Sequence, residues 1–261
     1  MMQLSACIEM LFTVESPDPA ERIRLARAAG ADAVEFWRWS DKDLGAIGAA
    51  LKETGLPLAG MVAEPFATLT DPADHGRFLD GLDDSIAVAQ SLGCPVLIAQ
   101  AGPDQPEVDR RTQRAALVAV LRAAGERLVG TGIRLGVEPL NTRVDHPGYF
   151  LPSTAEALDI IDEVGCPEIG LVFDLYHSGV MEEDLERVLA GRVDRLVHVH
   201  VADHPGRHEP GSGWLRLREG VHWLLGQGYT GRIGLEFRPT IGSAAALTAS
   251  RMALGIGTRL S

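Results

Sequence analysis

The sequence predicts an α/β fold, a (β/α)8 barrel formed as one domain over residues 1–261. Its length fits the roughly 250 residues that such a barrel uses. A unit also recurs along the chain, in which a helical stretch closes on glycine and a short apolar run follows. The third indication is the number of these apolar runs, which reaches eight. An open doubly wound sheet shares the local pattern, but the chain has neither G-x-G-x-x-G nor G-x-x-x-x-G-K-[ST], so the dinucleotide and P-loop signatures are missing.

The elements follow in order. LSACIEM at the start is the first strand, and PDPAERIRLARAAG after it is amphipathic and helical. AAGADAVEFW, ETGLPLAGMV, SLGCPVLIAQ, GTGIRLGVEP and EVGCPEIGLVFD then supply strands two to six, RLVHVHVAD the seventh and QGYTGRIGLEF the eighth. Glycine past a helix end accepts the left-handed cap conformation, and the apolar residues beyond it suit a strand buried on both faces. DPADHGRFLDGLDDSIAVAQSLG and STAEALDIIDEVG are helical by the same periodicity. In the latter, Ser153 with Glu156 three residues on reads as a capping box.

Composition narrows the function classes. The chain is 46% hydrophobic and 23% charged, a globular balance, with no apolar run near the roughly 18 residues of a membrane helix. A formal charge of −12 without any run of Lys or Arg argues against a nucleic-acid partner. The amino terminus MMQLSACIEMLFTVESPD lacks the basic segment of a secretory signal, which leads to the expectation of a cytoplasmic protein. Cys7, Cys94 and Cys166 are odd in number and in no C-x-x-C spacing, so they are expected to be reduced, buried packing residues.

In a barrel of this kind the chemistry sits at the carboxyl ends of the strands. Glu138 closes the fifth apolar run, Asp174 the sixth, and Glu236 the eighth, while His198 and His200 lie in the seventh. Barrel closure brings these successive strand ends around one side of the mouth. Three converging carboxylates repel one another, and a divalent cation resolves that conflict. One imidazole among oxygen ligands suits Mn²⁺, Mg²⁺ or Co²⁺. The ligand set expected is therefore Glu138, Asp174, His200 and Glu236.

The stretch HVHVADHPGRHEPGSG, residues 198 to 213, holds four of the eight histidines. His198 and His200 share a face of their strand, and His200 is nearer the mouth. His200 is thus the ligand and His198 its hydrogen-bonded support, with His204 and His208 left unassigned in the loop. Arg207 is placed to bind a substrate carboxylate through two parallel hydrogen bonds, the alternative being a loop salt bridge with Glu209. His177, three residues past Asp174, either donates to a substrate oxygen or caps the next helix. Phe36, Trp37 and Trp39, after Glu35, are expected to form an apolar wall.

VEFW, NTRVDHPGYFL, FDLYH, HVHVADHPGRHEPGSG and GYTGRIGLEFRP, read in order, resemble the hydroxypyruvate isomerase family of the xylose isomerase-like TIM barrels. The resemblance covers most of the chain and is densest from residue 133 to 240. It implies a metal on Glu138, Asp174, His200 and Glu236, with Glu138 and Glu236 also forming the acid/base pair, and substrate contacts from His177 and Arg207. Three departures bear on substrate. Hydroxypyruvate isomerases usually have glutamine where this chain has His200, a histidine typical of ketose 3-epimerases, and Trp214 replaces the glutamate that normally trails the G-x-G. The segment AEPFATLTDPADHGRF also lacks the Gly- and Arg-containing loop of a hydroxypyruvate isomerase.

The activity implied is conversion of hydroxypyruvate to tartronate semialdehyde through an enediolate. A 2-oxo-tetronate isomerase or ketose 3-epimerase is the alternative, ahead of a metal-dependent dehydratase, a non-catalytic sugar-binding barrel, or an apurinic endonuclease, which needs more metal ligands and a basic surface. The expected partner is a small hydroxy-keto acid or ketose, not nucleic acid or membrane, and pairing of exposed barrel helices would give a homo-oligomer.

Overall fold

The structure is a computed structural model that describes residues 2–257. Its eight strands are β1 (Leu4–Cys7), β2 (Ala33–Glu35), β3 (Met61–Val62), β4 (Val96–Ala99), β5 (Arg134–Val137), β6 (Ile169–Asp174), β7 (Leu196–Val201) and β8 (Ile233–Leu235). All pairings are parallel, in the order β2-β1-β8-β7-β6-β5-β4-β3. Backbone hydrogen bonds between the segments around β2 and β3 close the ring, Ala59 N to Val34 O at 2.7 Å and Val62 N to Trp37 O at 2.9 Å. The eight expected strands are all present, and the open-sheet alternative is excluded.

Helices cover the outside: α1 (Pro19–Ala28), α2 (Leu44–Thr54), α3 (Pro72–Leu92), α4 (Arg110–Leu128), α5 (Thr154–Val164), α6 (Leu175–Val180), α7 (Leu185–Leu189), α8 (Leu217–Gly226) and α9 (Ser243–Ala253). Asp18 and Asp71 cap α1 and α3 ahead of a proline in the first turn, while Gly55, Gly93 and Gly165 end α2, α3 and α5 in the left-handed conformation. The capping box of α5 is only half formed. Ser153 Oγ accepts from Glu156 N, but the Glu156 carboxylate turns outward to Arg110.

Outward strand residues such as Leu97, Leu135, Leu171 and Val199 join the helices in one apolar core. The inward positions hold a small apolar plug of Val62, Val96, Ile98 and Val172, with Val197 packed against it. Glycine is required beside that plug, since a Cβ on Gly136 would stand 2.5 Å from Val172 Cγ2. The ring is also tied from outside: the buried Arg251 of α9 binds Asp32 Oδ2 at 2.5 Å and Gly30 O at 2.8 Å.

Cys7 and Cys94 are buried and reduced, as expected, and burial raises both thiols, Cys94 to about 12. Cys166 differs. It is partly exposed, lying in the turn before β6 with Sγ donating to Glu168. No helix among the described residues is long and apolar enough to cross a membrane.

Candidate active site

Register, more than sequence spacing, assembles the site. A shift between Leu171 and Val172 sets Asp174 directly beside His200, and His200 in turn beside Gly234. Glu138 and Glu236 follow the last residues of β5 and β8, anchored through Glu138 N to Ala99 O and Glu236 N to Val201 O. One ligand atom from each of Glu138, Asp174, His200 and Glu236 lies within 4.8 Å of every other, and all four residues are buried. The structure thus brings together the four residues named from the strand ends.

Asp174 has two jobs. Its Oδ1 caps α6 by accepting from Tyr176 N at 2.8 Å, whereas its buried Oδ2 has no hydrogen-bond donor. Burial pushes this carboxyl up to about 7, Glu236 and Glu138 adding to the rise against Arg207 and His200. An orphaned oxygen in a cluster of acids is costly as it stands, and a cation would satisfy it. His200 places Nδ1 2.9 Å from Glu138 Oε1 and 3.6 Å from Glu236 Oε2. Burial opposes its protonation, but Glu236, Glu35 and Glu138 outweigh that and hold the ring well above the usual imidazole range. The donor set, three carboxylates and one imidazole, fits a divalent metal.

Arg207 reaches into this cluster. Its guanidinium lies 2.5 Å from Glu236 Oε2, 3.7 Å from Asp174 Oδ2, and over the Tyr176 ring. The salt bridge with Glu209 does not form, because Glu209 is bound by Thr240. A tight loop makes this reach possible: Asp203 and His208 exchange backbone hydrogen bonds, and the Asp203 carboxylate accepts from His204 N, Gly211 N and Leu215 N. Arg207 itself sits in the left-handed region at φ 55°, a strain that the surrounding hydrogen bonds must hold. Burial works against charging it, yet Glu236, Asp174 and Glu138 keep it firmly cationic.

His177 faces the same space from α6. Its Nδ1 accepts from Asn141 N at 3.1 Å and Asn141 Nδ2 at 2.7 Å, which leaves the proton on Nε2, 3.6 Å from Asp174 Oδ2. Burial, then Arg207, hold the ring well below the usual range, so it is neutral. Asn141 is oriented by accepting from Val144 N and Asp145 N. Nothing local in the NTRVDHP stretch singles out Asn141, whose role depends on a partner 36 positions away.

The aromatic wall is only partly as expected. Trp37 lines the cavity, but its indole N–H donates to Glu236 Oε1 at 2.6 Å, while Phe36 is buried and Trp39 donates to Ser85. Sequence reasoning passed over Glu35 as well, although it ends β2 as Asp174 ends β6. It is buried, with Oε2 2.8 Å from His198 Nε2 and Oε1 3.3 Å from His200 Nε2. Burial would raise this carboxyl, but His198 and His200 hold it far below the usual range. His198 is thus hydrogen-bonded to a buried carboxylate. His204 packs edge-on against Trp214, and His208 Nδ1 meets Arg238 O at 2.8 Å.

Above the cluster opens a cavity of about 570 Å³, lined by Glu138, His177, His200, Arg207, Glu236 and Trp37 together with Val62, Phe66, Ile98, Gln100, Leu140 and His146. Its size falls within the roughly 300–1,000 Å³ of small-molecule sites. Trp214 does not line it.

A barrel whose strand ends gather an acidic metal-type cluster beneath one cavity has known relatives. The family model described as xylose isomerase-like TIM barrel matches residues 23–253, and the chain belongs to that family. Among individual proteins, it is 30% identical to hydroxypyruvate isomerase of Escherichia coli strain K12 over 254 residues, covering 95% of this chain and 97% of that one. It is 30% identical to 2-oxo-tetronate isomerase of Cupriavidus necator over 236 residues, covering 87% and 90%. A crystal structure titled AP endonuclease, family 2, from Brucella melitensis superimposes with a TM-score of 0.88 at 30% identity, covering 95% of this chain and 98% of that one.

Proposed function

We propose that this chain is a metal-dependent isomerase of small α-hydroxycarbonyl acids, converting hydroxypyruvate to tartronate semialdehyde. The observation that carries the reading is the pairing of two glutamates, Glu138 and Glu236, across one cation-type site at the floor of a cavity whose polar lining includes His177 and Arg207. The isomerase names of the relatives agree with it.

Glu138, Asp174, His200 and Glu236 would hold Mn²⁺, Mg²⁺ or Co²⁺, and a bound cation supplies Lewis-acid stabilisation of negative charge on the substrate oxygens. The side chains do the rest. One glutamate removes a proton from the hydroxymethyl carbon of hydroxypyruvate, and the other returns a proton to the former carbonyl carbon. The hydroxyl proton passes from one oxygen to its neighbour, so the product is an isomer with nothing gained or lost. His177, neutral with Nε2–H free, donates to the oxygen that gains charge. Arg207 orients the substrate carboxylate, exchanging part of its contact with Glu236 for the ligand. Burial of the whole floor excludes water, which strengthens each of these interactions.

A longer substrate is the second reading, a 2-oxo-tetronate or a ketose undergoing 3-epimerisation. The cavity extends past the acidic floor to Phe66 and Gln100, more room than a three-carbon acid fills, and His200 stands where hydroxypyruvate isomerases usually have glutamine. The same two glutamates on opposite faces of one carbon would serve an epimerase. The net charge of −12 speaks against a phosphodiester substrate.

Proton NMR in D₂O with Mg²⁺ decides between these. Conversion of hydroxypyruvate with deuterium entering at carbon, abolished by EDTA and by Glu236→Gln, is expected. Exchange confined to the third carbon of a ketose supports the second reading, and no exchange with any of these substrates refutes both.

A further inference from the structure

The buried Glu35 lies outside the metal quartet, yet it touches the quartet's imidazole from behind. β2 is separated from β7 by β1 and β8 in the sheet order, so the Glu35 side chain must cross the barrel interior to meet His198 and His200. Space for that crossing exists because residue 234 of β8 is glycine. A Cβ there would stand 2.5 Å from Glu35 Oε1 and 2.6 Å from His200 Cδ2, and Gly234 is the residue in register with His200.

Each nitrogen of His200 then has a distinct neighbour. Nδ1 faces Glu138 at 2.9 Å, and Nε2 faces Glu35 Oε1 at 3.3 Å. To bind a cation among Glu138, Asp174 and Glu236, Nδ1 must offer its lone pair, so the ring proton must sit on Nε2. Glu35 Oε1 is the group that would accept it, and although buried it has no other hydrogen-bond donor. Its twin Oε2 is already fixed by His198 at 2.8 Å, and the His198 ring braces His200 edge-on, centroids 4.8 Å apart at 89°.

We infer that Glu35 is a positioning residue, a buried carboxylate that spans the barrel to hold His198 and His200 and so directs Nδ1 of His200 to the metal site, with Gly234 as the slot that admits it. This inference rests on the metal reading of the quartet. A carboxylate behind a ligating imidazole fixes its tautomer and raises its basicity, and losing one typically weakens metal affinity about 10–100-fold.

Mn²⁺ titration of the purified full-length protein, with free ion followed by electron paramagnetic resonance, provides the test. Saturable binding by the parent chain, weakened about 10–100-fold in Glu35→Gln and removed in Glu138→Gln, is the expected result. Equal affinity in the parent and in a folded Glu35→Gln sinks the role of Glu35 and leaves the metal reading intact. Absence of saturable binding in the parent overturns the metal reading, and the inference with it.

A loss of affinity caused only by altered packing is separated by histidine ¹⁵N spectra of the parent chain with Zn²⁺, which also serve if Glu35→Gln does not fold. His200 is expected to carry the metal on Nδ1 and a hydrogen-bonded proton on Nε2. Metal on Nε2 would overturn the assignment.

Discussion

Asp174→Asn separates the cost of the acidic floor from its use. Asp174 Oδ2 is buried without a hydrogen-bond donor, and its carboxyl is raised to about 7 by burial and by Glu236 and Glu138. A carboxyl raised in the folded state from the ordinary 3.8 keeps a proton that the unfolded chain has already released. Its contribution to stability is therefore full below pH 3.8 and is lost as pH rises through about 7. At about 1.36 kcal/mol per pH unit, the loss is roughly 4 kcal/mol in the metal-free protein. Asparagine keeps the cap on Tyr176 N and cannot ionise, so the variant escapes most of that loss. Urea denaturation in EDTA, followed by tryptophan fluorescence, is expected to show Asp174→Asn more stable than the parent by roughly 2–4 kcal/mol at pH 8 and little different at pH 4. Adding Mn²⁺ at about 1,000 times its Kd should reverse the order, since that stabilises the parent by about 4.1 kcal/mol and the variant has lost a charged ligand. A variant less stable than the parent at pH 8 in EDTA would refute the reasoning, because the ionised group would then be a net stabiliser.

Three further outcomes are expected. Trp37→Phe keeps the ring but removes the 2.6 Å donor to Glu236, a charge-assisted bond of about 1.5–3 kcal/mol, so kcat/KM for the active substrate should fall by about 10–100-fold; an unchanged value would show that Arg207 alone positions the carboxylate. Asn141→Ala removes the side-chain donor to Nδ1 of His177 and leaves the backbone N–H, and turnover should drop about 10-fold with little change in KM, a split that steady-state kinetics reads directly. Arg251→Met takes the guanidinium from Asp32, which keeps the Leu4 N–H, and should cost about 1.5–3 kcal/mol by urea denaturation, while Mn²⁺ affinity of the folded protein stays at the parent value.

Much of this was legible along the chain because barrel strands carry local signals. Apolar runs marked all eight strands, six of them after a glycine cap, and the rule that chemistry gathers at strand ends picked out Glu138, Asp174, His200 and Glu236 from 36 acidic residues and eight histidines. The same rule applied to β2 would have found Glu35, which ends its strand in the same way. Arg207 was chosen over a loop salt bridge with no basis in spacing, and only the Asp203-centred loop explains why its side chain turns inward.

The sequence by itself determined the strand count, the helix ends and which residue types stand at the mouth, since each follows from periodicity and cap chemistry within a dozen residues. Tertiary structure alone decided the partners: Asn141 behind His177, the Trp37 indole on Glu236, Glu35 across the barrel against two histidines, Arg251 on Asp32. These groups are 36 to 219 positions apart, and their meeting depends on sheet register and closure. A strand slipped by one residue turns each inward side chain outward, so the list of residues survives in the sequence while their contacts exist only in the closed barrel.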